Sequence, residues 1–148
     1  MDQDKVAKEA VAYFGSGYNC SESMLLAFSK AMGVVCPAFP MVATAFGGGI
    51  GRLCQECGAL TGGILAIGLM YGRSKANETE KRDRSYAVAR AWYKEFQKRF
   101  SSVKCIEIQG TDLLNEEEAQ KTAKERHALC DKVVGEGARI LVRLLSEK

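Results

Sequence analysis

Periodicity constrains this chain more than any other feature. Every long apolar pattern in it repeats at helical spacing, and none alternates as a strand would. The clearest case is residues 77–100, where Tyr86, Ala89, Tyr93, Phe96 and Phe100 step by 3 or 4 positions. Lys, Arg and Glu fill the opposite face, which predicts an amphipathic helix with its aromatic stripe in the core. Val6, Ala10, Tyr13 and Phe14 draw a shorter stripe, ended by Gly15 and Gly17. Asn19 with Glu22 three residues on is a capping-box pair. The helix it opens buries Met24, Leu25, Phe28 and Met32 and stops at Gly33.

The rest of the chain reads the same way. Cys36, Pro37 and Pro40 mark a connection, and residues 41–46 a short helical piece. From about Cys54 or Cys57 to Gly72 the pattern is apolar on all sides, which predicts a helix buried all round at the centre of a bundle. Gly58, Gly62 and Gly63 within it cost roughly 1 kcal/mol each against alanine. That is tolerable where something packs close to the backbone. Asn115 followed by Glu116, Glu117 and Glu118 opens another helix. A final helix buries Val134, Ala138, Leu141 and Leu145. Residues 105–108 alternate too briefly to count as a strand. The expected fold is all-α: one domain over residues 1–148, a bundle of about six helices with a buried Gly-rich central helix.

Composition narrows the function classes. Net charge is +3, from 21 basic and 18 acidic residues, too weak and mixed for a nucleic-acid or membrane-surface binder. The apolar run 59–71 falls short of the ~20 residues that span a bilayer. The first ten residues mix both signs and lack the apolar stretch of a secretory leader. A cytoplasmic protein is expected, without nucleic-acid or membrane partners. In that compartment the 6 cysteines point to metal binding or redox chemistry rather than structural disulfides.

The cysteines stand at 20, 36, 54, 57, 105 and 130. Only Cys54 and Cys57 form a C-x-x-C pair, and a zinc ribbon would need a second pair 15–20 residues on. Any joint site must therefore be assembled from separate helices. Cys20 and Cys57 fall at predicted helix starts, where free N–H groups and the macrodipole favour a thiolate and lower its pKa. Cys130 lies in line with the buried face of the last helix, and Cys105 sits in a connection. The glycines at 47–49, 51, 58, 62 and 63 would let backbone come close to a shared spot. Gly47–Gly51 matches neither the P-loop nor the dinucleotide fingerprint. His127 reads as a solvated side chain. Tyr71, Trp92 and the Met residues are candidates for a homodimer interface.

Several segments resemble one family. Phe46-Gly-Gly-Gly-Ile-Gly-Arg52, Cys57-Gly-Ala-x-x-Gly62, Asn19-Cys20-Ser-Glu-Ser-Met-Leu, Cys105-Ile-Glu-Ile-Gln-Gly110 and Cys130-x-x-Val133-Val134 are similar to the segments of the C_GCAxxG_C_C redox proteins. The resemblance implies a small helical redox-active protein with Cys20, Cys57, Cys105 and Cys130 as its working set. Those four would act as catalytic thiols. They would equally be the ligands of an iron–sulfur cluster or another thiolate-bound metal, as suggested for a related domain of split-Soret cytochrome c. Cys36 and Cys54 fall outside the set. In a dithiol mechanism Cys57 would attack, with Cys20 or Cys54 resolving, against a protein redox partner. The alternative is a non-catalytic helical partner subunit of an oxidoreductase or transporter system.

Overall fold

A computed structural model describes residues 1–147. Eight helical elements follow one another among them: α1 (Gln3–Gly15), α2 (Cys20–Met32), α3 (Met41–Thr44), α4 (Gly47–Ile50), α5 (Gly58–Tyr71), α6 (Thr79–Phe100), α7 (Cys105–Gln109) and α8 (Glu116–Ser146). The all-helical class holds, but the count differs from about six. Three short elements, α3, α4 and α7, join five long ones. The two helices expected after Asn115 are one 31-residue helix, because no glycine or proline signal strong enough to stop it lies between Glu116 and Ser146. Gly135 and Gly137 are absorbed into it, facing Val11 and the rings of Trp92 and Phe96.

Local signals explain the ends. Asn19 caps α2 by accepting from the Glu22 N–H at 2.9 Å, while Glu22 accepts from the Asn19 N–H at 3.0 Å. Gly33 closes α2 in the left-handed conformation, and Asn115 caps α8 by accepting from the Glu118 N–H at 3.2 Å.

One apolar core runs through the long helices. It buries Val6 and Ala10 of α1, Met24 and Phe28 of α2, Leu60 and Ile67 of α5, and Val134, Ala138 and Leu141 of α8. From α6 the buried residues are Val88, Trp92 and Phe96. The expected stripe is therefore rotated: Phe96 is core and Phe100 packs on its edge, but Tyr86 is 56% and Tyr93 37% exposed. Tyrosines carry a polar tip that tolerates water, so they marked the border of the apolar face rather than its middle. Trp92 is fully buried with its indole N–H donating to the Leu60 carbonyl at 3.0 Å, which removes it from the candidate interface residues.

α5 is enclosed on all sides only over its first part; beyond it only one face, with Ala66 and Ile67, stays in the core. Gly58 to Gly63 are enclosed, whereas Ile64 and Met70 are 37% and 36% exposed. An apolar surface on all sides did not mean burial on all sides. The enclosed part meets α2 so closely that a Cβ on Gly62 would stand 2.6 Å from the Ser21 carbonyl oxygen. On the other side the Trp92 ring lies on Gly63, where a Cβ would reach its Nε1 at 2.6 Å. No helix among the described residues is long and apolar enough to cross a membrane.

Candidate functional site

The site lies where the starts of α2, α5 and α7 meet the middle of α8. Cys20 is the first residue of α2, Cys57 the N-cap of α5, and Cys105 the first residue of α7. Cys130 reaches them from α8. These four thiols line one cavity of about 30 Å³, together with Ala59 and Ile108 among others. That volume holds roughly one water molecule. All six cysteines are free thiols, and Cys36 takes no part in the cavity.

Three backbone devices hold the thiols there. The α2 start is tied to α3: the Asn19 side-chain amide donates to the Thr44 carbonyl at 2.9 Å, and the Ser21 hydroxyl to the Ala43 carbonyl at 2.7 Å.

The second device is a left-handed turn. Gly48, Gly49, Ile50, Gly51 and Arg52 have φ of 64°, 64°, 67°, 56° and 70° in succession, and Cys54 follows at 57°. Left-handed backbone costs about 1–2 kcal/mol for each residue that bears a Cβ. The surroundings hold it in place. The Cys54 N–H donates to the Gly48 carbonyl at 3.1 Å and the Gln55 N–H to the Gly49 carbonyl at 2.9 Å. Gly49 has no room for a side chain, since a Cβ would stand 2.7 Å from the Cys105 Cβ.

The third device is a single antiparallel bridge, Glu56 opposite Lys104. The Cys57 N–H donates to the Val103 carbonyl at 2.8 Å, the Cys105 N–H to Gln55 at 2.6 Å, and the Ile106 N–H to Cys54 at 3.1 Å. The short alternation around Cys105 is thus a bridge leading into a helical turn. It sets Cys57 and Cys105 on neighbouring segments of the chain.

Electrostatics reverse one expectation. Burial pushes the Cys57 thiol well above its usual value, and the neighbouring Cys20 adds to this; the Ala59 and Leu60 N–H groups only partly offset it. Burial raises Cys20 too, against the Gly48, Ser21 and Gly58 N–H groups. Cys105 is pushed up to about 12, by burial first and Cys54 second. Cys130 is pushed up to about 11 by burial and Cys20, with Arg126 one turn away opposing. The helix starts are where the periodicity put them, but desolvation outweighs the N–H groups. All four thiols are protonated at neutral pH.

The family model described as putative redox-active protein (C_GCAxxG_C_C) matches residues 18–144, which takes in all four cavity cysteines. The chain belongs to this family. No curated protein and no solved structure matches it. In this C_GCAxxG_C_C protein the four thiols supply donors of the type that hold iron–sulfur clusters and thiophilic metals. Their spacing does not suit an ion: among the described residues no three His, Cys, Asp or Glu side chains stand close enough together to hold one.

The C-x-x-C motif is split. The Cys54 thiol does not line the cavity and donates to the Thr111 carbonyl at 3.5 Å. Gln109, unremarked in the sequence, carries its side-chain nitrogen 3.7 Å from both the Cys54 and the Cys105 sulfurs. Its spacing from Cys105, four residues on, was the available signal once 105–109 was read as helical. His127 is exposed and stacks on Phe14, with ring centroids 4.6 Å apart, which keeps it out of the thiol chemistry.

Proposed function

We propose that this chain is a two-electron thiol redox protein in which Cys20 and Cys57 form the reacting dithiol. The observation that carries this reading is the junction of α2 and α5. Gly58, next to Cys57, leaves its side unfilled against the Cys20 sulfur, where a Cβ would stand 2.4 Å away. The Cys20 thiol also raises the titration of Cys57, as a near neighbour does. In the reaction both thiols give up a proton and an electron. A disulfide of a protein partner is cleaved to two thiols, and the Cys20–Cys57 bond forms through a mixed disulfide.

Two properties follow from the raised thiols. The thiolate is scarce at neutral pH, so oxidation accelerates about tenfold per pH unit between pH 7 and 9. No stabilised thiolate favours the reduced form, so the couple should be less oxidising than one whose reduced form is held by a low-pKa thiolate.

Anaerobic purification followed by redox titration in glutathione buffers tests the reading. The expected result is a colourless protein with a reversible Cys20–Cys57 disulfide. A brown protein with acid-labile sulfide and absorbance above ~400 nm would overturn it and make Cys20, Cys57, Cys105 and Cys130 cluster ligands. Failure to form any disulfide, with Cys20→Ala and Cys57→Ala costing only modest stability, would leave a helical partner subunit whose cysteines pack.

A further inference from the structure

Cys54 lies outside the four-cysteine set, yet it is buried, 4% exposed, and oriented by its surroundings. Its backbone adopts φ 57°, a conformation that a residue with a Cβ avoids unless it is held there. The Gln109 side chain is fixed by Thr111, donating to its carbonyl at 2.5 Å and accepting from its N–H at 2.9 Å. In that pose one nitrogen stands 3.7 Å from the Cys54 sulfur and 3.7 Å from the Cys105 sulfur. The Ile106 N–H donates to the Cys54 carbonyl at 3.1 Å, which sets the two cysteines on adjacent segments of the chain. Cys105 also lines the cavity with Cys20 and Cys57.

We infer that Cys54 and Cys105 form a second dithiol of the same centre, which takes over a disulfide from Cys20 and Cys57 by internal exchange. This rests on the Cys20–Cys57 reading above. The Cys105 sulfur gives up its proton and attacks one sulfur of the Cys20–Cys57 bond. That bond breaks, and the released sulfur takes the proton. Cys54 then loses its proton and attacks Cys105 in the mixed disulfide, closing Cys54–Cys105 and freeing the second thiol, which is protonated in turn. Two electrons and two protons pass from the Cys54/Cys105 pair to the Cys20/Cys57 pair, and no further oxidant is consumed. Gln109 is a positioning residue, its amide lying against both sulfurs. The C-x-x-C motif would thus serve two pairs, with each of its cysteines bonding outside the motif.

Disulfide mapping tests this on the full-length wild-type protein. The protein is oxidised with oxidised glutathione, quenched in acid, alkylated with N-ethylmaleimide, and digested with trypsin and glutamyl endopeptidase. Cleavage after Glu56 separates Cys54 from Cys57. The expected product is a Cys54–Cys105 link, leaving only Cys36 and Cys130 alkylated at full oxidation. Cys54→Ser should leave Cys105 alkylated as well, and Cys57→Ser should slow formation of the Cys54–Cys105 link at least tenfold. A Cys20–Cys57 disulfide with Cys54 still alkylated, or a Cys54–Cys57 link, overturns the second dithiol. An unchanged rate in Cys57→Ser overturns the handover. Absence of a Cys20–Cys57 disulfide at every glutathione ratio instead removes the reading beneath it, so the two failures are told apart.

Discussion

The thiol end and the aromatic core are built by opposite means. In the core, large side chains fill space: Trp92, Phe96, Phe28, Met24 and Leu141 are almost wholly buried, and Trp92 packs edge-on to Phe96 with centroids 5.4 Å apart. At the thiol end, side chains are removed so that backbone can come close. Gly47, Gly49 and Gly58 each leave a gap that a Cβ would overfill, and the segment from Gly48 to Arg52 is held left-handed by hydrogen bonds. The core therefore supplies most of the burial energy, and the thiol end spends part of it on conformational strain. Damage to the core should show in stability, and damage to the thiol end in redox behaviour.

The largest effect is expected from Trp92→Ala. It removes a fully buried ring and its hydrogen bond to Leu60, at a cost of about 3–5 kcal/mol. Urea unfolding followed by circular dichroism reads this, since the chain has a single Trp and the variant loses its fluorescence. The folded fraction should keep the wild-type redox potential. A shifted potential would mean that the two regions are one cooperative device.

Alkaline pH is expected to come next, acting through the thiol end alone. Cys105 and Cys130 titrate at about 12 and about 11 in the fold, against a usual 9.0. Above pH 9 the unfolded chain sheds thiol protons that the fold retains. The unfolded state then binds fewer protons, so stability falls as pH rises. The contribution is intact below the unfolded pKa and is lost progressively between about pH 9 and 11. The slope is on the order of 1 kcal/mol per thiol per pH unit. Comparing unfolding free energies of wild type and Cys105→Ala across that range cancels the lysines and tyrosines. Equal slopes would show that the thiols are better solvated than the cavity implies.

Two glycines on one face of α5 sharpen the comparison. In Gly62→Ala the new Cβ meets backbone, the Ser21 carbonyl oxygen at 2.6 Å and the Ser21 Cα at 2.9 Å. Backbone cannot step aside, so a loss of about 1–3 kcal/mol is expected, read as a lower urea midpoint. In Gly58→Ala the new Cβ meets the Cys20 sulfur, which can rotate away. Stability should change less, while the Cys20–Cys57 disulfide forms at least tenfold more slowly in the alkylation assay. The reverse pattern, with Gly58→Ala unfolding the protein and keeping the disulfide, would break the division of labour.

What the sequence made legible divides along the same line. The capping box at Asn19, the buried face of α8 through Val134, Ala138, Leu141 and Leu145, and the all-helical class are local properties, readable from spacing. On α6, spacing alone sets Tyr86 and Tyr93 on the core face beside Phe96, whereas the fold turns Val88, Trp92 and Phe96 inward. The raised Cys57 thiol was illegible for a different reason. Its position at a helix start is local, but its burial depends on Cys20, Cys105 and α8 arriving from elsewhere. The turn of Cys54 toward Cys105 was hidden in the same way, since it follows from one bridge between residues 48 apart, Glu56 and Lys104. Periodicity reports which residues share a face. It does not report which helix ends meet.

The smallest expected effect tests how far the thiol end depends on one cap. Asn19 accepts from the Glu22 N–H and also donates to the Thr44 carbonyl, both at 2.9 Å, so it joins the start of α2 to α3. Asn19→Ala loses both bonds and should cost about 1 kcal/mol, or about 3 °C in Tm. Asn19→Asp keeps the acceptor for Glu22 but loses the donor to Thr44. If the helix cap alone positions Cys20, Asn19→Asp restores the wild-type rate of Cys20–Cys57 disulfide formation along with the Tm. If the tie to α3 matters as well, the Tm recovers while the rate stays low. The structure favours the second outcome, because the Gly48 N–H that faces the Cys20 sulfur belongs to the turn that α3 leads into, four residues beyond Thr44.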